Sequence, residues 1–133
     1  MDKKSLVKKI IYWAATGVMF YYMLYAAINY HLKHEVMSGF FKHFGYPEYV
    51  VYPLAYLKIA AFLVILSNRY NNLKEMAYGA YFINTLMATV AHLKAGHTPT
   101  HAYLLIVAII VSYWLSNQVR GKPKRDFLIK NLE

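Results

Sequence analysis

The chain has 133 residues, 59% hydrophobic, 17% aromatic and 16% charged, with fifteen Lys and Arg against six Asp and Glu and no Cys. That length holds one domain, 1–133, and so few charges among so many apolar residues exclude a disordered chain and a charge-rich coiled coil. The lack of Cys excludes a disulfide framework, a thiolate metal site and CxxC redox chemistry carried by this chain.

Residues 10–28 form a run of nineteen without Asp, Glu, Lys, Arg or His, close to the ~20 that a helix needs to cross a bilayer core. Lys3, Lys4, Lys8 and Lys9 precede it. The run is too long for the apolar part of a cleaved signal and is read as a retained first helix. Residues 29–49 form the longest connection, an outer loop. There Val36, Met37, Phe40, Phe41 and Phe44, spaced among Lys42 and His43, predict a short amphipathic segment at the interface, ended by Gly45, Tyr46 and Pro47. The second span, 50–67, holds a single charge, Lys58. Its Pro53 falls in the first turn, where a missing amide donor is tolerated. The third, 76–93, has an uncharged stretch of sixteen residues, lengthened by Leu93 and by snorkelling of Lys74. The fourth, 102–119, is an uncharged eighteen, and a basic tail, 120–133, follows.

In every run the apolar residues lie all round the helical wheel, whereas a soluble helix would confine them to one stripe. The predicted fold is therefore all-α, an integral membrane four-helix bundle. Eleven Lys and Arg flank one side, while Lys33, Lys42 and Lys94 flank the other. By the positive-inside rule both termini are cytoplasmic, in a cell (inner) membrane. The basic balance is thus mainly a topology signal, with attraction to anionic lipid headgroups as a secondary effect. The partner it implies is the lipid bilayer; nucleic acid is not expected, because the basic residues form short flanks with no element to present them in a groove.

Lys58 lies about 12 to 13 Å from either end of its span. A lysine there costs about 2.5–3.5 kcal/mol on insertion scales and normally faces the bundle interior or a cavity. None of the four spans supplies a carboxylate. Lys58 then hydrogen-bonds Asn84, a tyrosine or a carbonyl, snorkels, or meets a ligand or another chain. The small Ala55 and Ala61 share its side and predict a buried face. On the third span Tyr81, Thr85, Ala88 and His92 make one polar-tinged stripe, with Asn84 at the depth of Lys58. Lys58, Tyr81, Asn84 and His92 are the candidate ligand-binding residues. No Ser/His/Asp triad, phosphate loop or carboxylate pair can be assembled within the spans, so no catalytic residue is assigned. All six histidines, His31, His34, His43, His92, His97 and His101, fall on the outer side without a zinc motif, and no metal ligand is assigned. Tyr21, Tyr22, Tyr25, Tyr56 and Tyr81 lie deep, where they pack or line a pocket for a flat apolar molecule.

Five segments carry a family resemblance: Tyr12-Trp13-Ala14-Ala15-Thr16-Gly17, Phe44-Gly45-Tyr46-Pro47-Glu48-Tyr49, Leu57-Lys58-Ile59-Ala60, Lys74-Glu75-Met76-Ala77-Tyr78-Gly79 and Ala91-His92-Leu93-Lys94-Ala95-Gly96-His97. In order and spacing the chain resembles the DoxX-like family of small bacterial membrane proteins over nearly its whole length. Met76 stands where the family usually has Trp, and His97 where Asp usually follows the Gly. The resemblance implies a four-helix membrane bundle with Lys58 and His92 in family-type positions. Related DoxX and DoxD proteins are associated with thiosulfate:quinone oxidoreduction or membrane oxidoreductase complexes. It thus implies a quinone-linked or accessory role, with quinone as cofactor and a membrane oxidoreductase as partner; apart from the resemblance, a homodimer is the other partner considered. Three readings follow: a non-catalytic or accessory subunit with a small apolar pocket near Lys58, a quinone-linked oxidoreductase component, and a structural helper for a partner membrane protein.

Overall fold

The computed structural model describes residues 2–126; residues 127–133, most of the expected basic tail, lie outside the described residues. The helices are α1 (Lys3–Leu32), α2 (His34–His43), α3 (Val51–Ser67), α4 (Asn71–Lys94) and α5 (Thr100–Arg120), with a 3-10 turn at Glu48–Val50. No strand occurs among the described residues. α1, at 30 residues, outruns the expected 10–28 at both ends. The Asp2 carboxylate accepts the Ser5 amide at 2.7 Å, so the helix starts on a side-chain cap seven residues before the apolar run. α3 ends where Asn68 takes a left-handed conformation (φ 52°), one that Asn tolerates better than most residues.

α1 packs on α3 and α5, and α4 packs on the same two, so the four long helices form a ring with α1 and α4 on one diagonal. Met19, Met23, Ala61, Ile65, Ala77, Tyr78, Tyr81, Leu105 and Ile109 meet at its centre. Outside, Ile10, Leu57, Leu63, Ile83, Val107 and Trp114 are exposed, while Thr16, Lys58, Lys74, Thr85, Ser112 and Ser116 are buried. An apolar exterior around a polar-flecked interior is what a lipid solvent selects. α1, the segment Glu48–Ser67, and α5 are each long and apolar enough to cross a membrane. α4 has the length, at 24 residues, but Asn71, Asn72, Lys74 and Glu75 make its first turns polar.

The start of α1 and the end of α5 lie at one end of the ring. There the Arg120 guanidinium sits 5.5 Å from the Trp13 ring and donates to the carbonyls of Ile65 (2.7 Å) and Leu66, closing the end of α3. The snorkelling expected of Lys74 does not occur: its side chain is buried, and its amine donates to Asn68 Oδ1 and Asn117 Oδ1, each at 2.8 Å. Two good acceptors within reach hold it inward. Burial, with the Arg120 guanidinium beside it and Glu75 opposing, pushes its pKa down to about 8. Two acceptors match the two N–H groups of a neutral amine and leave the third proton of an ammonium without a partner.

Candidate functional site

On α3 the buried positions are Val51, Ala55, Lys58, Ala61 and Ile65, spaced by three and four, so Lys58 sits in the inward stripe. It is 4% exposed. Its amine donates to the Met23 thioether at 3.9 Å and lies over the Tyr30 ring, 5.7 Å from the centroid. A thioether is a weak acceptor and a phenol face a weak cation site. Among the described residues the one ion pair is Lys42 with Glu48 (3.4 Å), at the surface. Lys58 is therefore buried without a carboxylate. Asn84 is not its partner, and the Tyr81 hydroxyl donates to the Lys58 backbone carbonyl (2.6 Å), leaving the amine to Met23 and Tyr30.

The chain reverses at Lys33, and α2 folds back so that Met37, Phe40 and Phe41 face α4 across a gap, with Phe44, just after α2, edge to face on His92 (5.0 Å) at one end. This gap is a cavity of about 690 Å³, walled by those residues, by Tyr30, Val50 and Leu54, and by Ile83, Asn84, Met87, Ala88 and His92 of α4. That volume falls in the range of small-molecule sites. Tyr46 ties the far end of α2 to α4, its hydroxyl donating to the Met87 carbonyl at 3.2 Å.

The four candidate residues thus divide. Asn84 and His92 are on the cavity wall, whereas Lys58 and Tyr81 are in the core beside it. Tyr30 joins the two regions: it lines the cavity, carries Lys58 over its ring, and meets Phe41 of α2 edge to face (5.4 Å, 89°). Tyr30 falls in the stretch read from the sequence as the outer loop, 29–49, and nothing local says that α2 returns over it. Thr85 and Thr89 direct their hydroxyls to the carbonyls one turn back, each at 2.8 Å, and are satisfied within α4.

The deep tyrosines also separate. Tyr21, Tyr25 and Tyr56 are 64%, 57% and 61% exposed and point away from the bundle, so they line no pocket. The buried phenols are Tyr12, Tyr78 and Tyr81. Ser112, opposite Tyr78, bonds both its hydroxyl (2.8 Å) and that of Thr16 (2.7 Å), a polar cluster joining α1, α4 and α5. Its only sequence signal was small hydroxyl residues inside uncharged runs.

The histidines form two groups. His34 stacks on Tyr52 (4.1 Å), with His31 nearby at 5.3 Å from the same ring. At the cavity's end His92 lies 5.2 Å from His101 and 5.7 Å from His97, and His43 lies 6.4 Å from His97, ring centre to ring centre. Among the described residues no three His, Asp or Glu are grouped to hold a metal ion.

The model of the DoxX-like family matches residues 14–114, a stretch that includes every residue of the cavity wall. Neither the curated proteins nor the solved structures give a match.

Proposed function

Since the chain belongs to the DoxX-like family, a family of membrane proteins, we propose that it is a non-catalytic, accessory membrane subunit that holds a small apolar molecule between α2 and α4. The observation that carries this reading is the cavity of about 690 Å³ with aromatic and aliphatic walls and few polar groups, among them Asn84 and His92. Apolar walls with few convergent polar groups are the usual form of a ligand site. α4 supplies the fourth span in this reading, because it completes the ring with α3 and α5 and its residues 76–93, past the polar first turns, reach about 27 Å. The termini lie on the cytoplasmic face of the inner membrane, in keeping with the basic residues gathered at that end. Lys58 stands behind Tyr30 as a support of the wall.

The test is mass spectrometry of lipid extracts from protein purified in its native lipid. The protein retains a stoichiometric apolar molecule, and Ala88→Phe, which fills the cavity from α4, loses it. Equal retention by the variant, or no enriched molecule in the wild type, refutes the reading. A quinone-linked oxidoreductase component is the second reading, favoured by the flat rings of Phe40, Phe41 and Phe44 facing the cavity; it requires that the extracted molecule be a quinone.

A further inference from the structure

We infer that the cavity's ligand is an anionic single-chain amphiphile, a long-chain carboxylate whose head lies against His92 and His97 and whose tail runs between α2 and α4. This rests on the reading of the cavity as a ligand site.

No Asp, Glu, Lys or Arg lines the cavity, so the side chains there able to carry positive charge are His92 and His97. Both lie toward the same end. The groups facing His92 are His97, Phe44 just after α2 (5.0 Å) and His101 of α5 (5.2 Å). His43 of α2 faces His97, and Tyr22 of α1 faces His101 at 6.5 Å. Four imidazoles thus gather from α2, α4, the turn after it and α5. None is paired with a carboxylate among the described residues, whose one ion pair is Lys42 with Glu48.

Each of these imidazoles carries a ring N–H whether neutral or charged, and a carboxylate head is an acceptor for it. A cationic head would find no counter-charge in these walls. A neutral head needs no more than Asn84 and leaves the imidazole cluster unused. Along α4 the wall runs from Ala80 to His92, about 18 Å, which suits an extended chain better than a compact molecule. Below the head, Phe40, Phe41, Ile83 and Met87 offer only hydrocarbon and thioether surface to the tail.

The experiment uses the full chain in phosphatidylcholine vesicles at neutral pH, where a carboxylic acid is ionised and an alcohol is not. Two probes are compared: a long-chain carboxylic acid with a mid-chain diazirine and a terminal alkyne, and the corresponding alcohol. Cross-links are mapped by mass spectrometry to peptides containing Phe40, Phe44 or Ile83. The acid labels these saturably and at least about fivefold more than the alcohol, as a charge-assisted contact would give. His92→Gln with His97→Gln brings acid labelling down to the level of the alcohol and leaves alcohol labelling unchanged. Equal saturable labelling of the wild type by both probes overturns the anionic head while leaving the cavity as a ligand site. Absence of saturable labelling by either probe overturns the ligand site itself.

Discussion

Replacing Lys58 by Met separates a lysine that stabilises the fold from one the fold tolerates. Lys58 is 4% exposed, and its amine has the Met23 thioether at 3.9 Å and the Tyr30 ring at 5.7 Å. Bringing a lysine to mid-membrane costs about 2.5–3.5 kcal/mol, and a partly desolvated cation over a phenol ring returns about 0.5–2 kcal/mol. The difference is a net cost of roughly 0.5–3 kcal/mol. Methionine keeps the length and apolar volume of the side chain, so no large void opens. The hydrogen bond from the Tyr81 hydroxyl goes to the Lys58 backbone carbonyl and survives the change. Lys58→Met should therefore stabilise the protein by about 1–2 kcal/mol. Equilibrium unfolding in lipid bicelles, followed by tryptophan fluorescence, measures this. A loss of more than about 1 kcal/mol on substitution would mean that the amine has a strong acceptor, and would refute the reasoning.

Tyr46→Phe removes the bond from α2 to the Met87 carbonyl, and amides of α2 should exchange with deuterium about fivefold faster, for a bond worth about 1 kcal/mol; an unchanged rate would mean that the bond does not hold α2. Because the Lys74 pKa is lowered to about 8, the unfolded state binds more protons between pH 8 and the ordinary lysine value, so stability should rise with pH across that window. Lys74→Met should abolish that slope, and bicelle unfolding at a series of pH values would reveal one that persists. Phe41→Ala should enlarge the cavity, free the Tyr30 ring and destabilise by about 3 kcal/mol, less any relaxation into lipid; thermal unfolding in the same bicelles measures the loss.

Much of the bundle was legible in the sequence because a lipid solvent writes itself into uncharged runs. The inward stripe of α3 could be read from Ala55 and Ala61 on the side of Lys58. The middle of α1 was equally plain, but its true start depended on a cap at Asp2 that lies outside the apolar run. The candidate site was half legible. Asn84 and His92 do reach a cavity, whereas Lys58 and Tyr81 bond within the core. The expected stripe of Tyr81, Thr85, Ala88 and His92 divides between neighbouring faces of α4: Tyr81 and Thr85 are buried in the core, and Ala88 and His92 face α2. A period of 3.6 residues does not fix rotation finely enough to separate such faces. The cavity itself was hidden because its second wall, Met37 to Phe44, forms only when the chain reverses at Lys33. An amphipathic segment of that composition satisfies a membrane surface equally well.

The most direct test of the account is an experimentally determined structure of the protein in lipid nanodiscs at a resolution that reveals bound lipid. The account predicts elongated density between Phe41 and Phe44 on one side and Ile83 and Met87 on the other, ending near His92, with Lys58 behind Tyr30. Collapse of α2 onto α4, with Phe44 packed against Ala88 and no density between them, would contradict it.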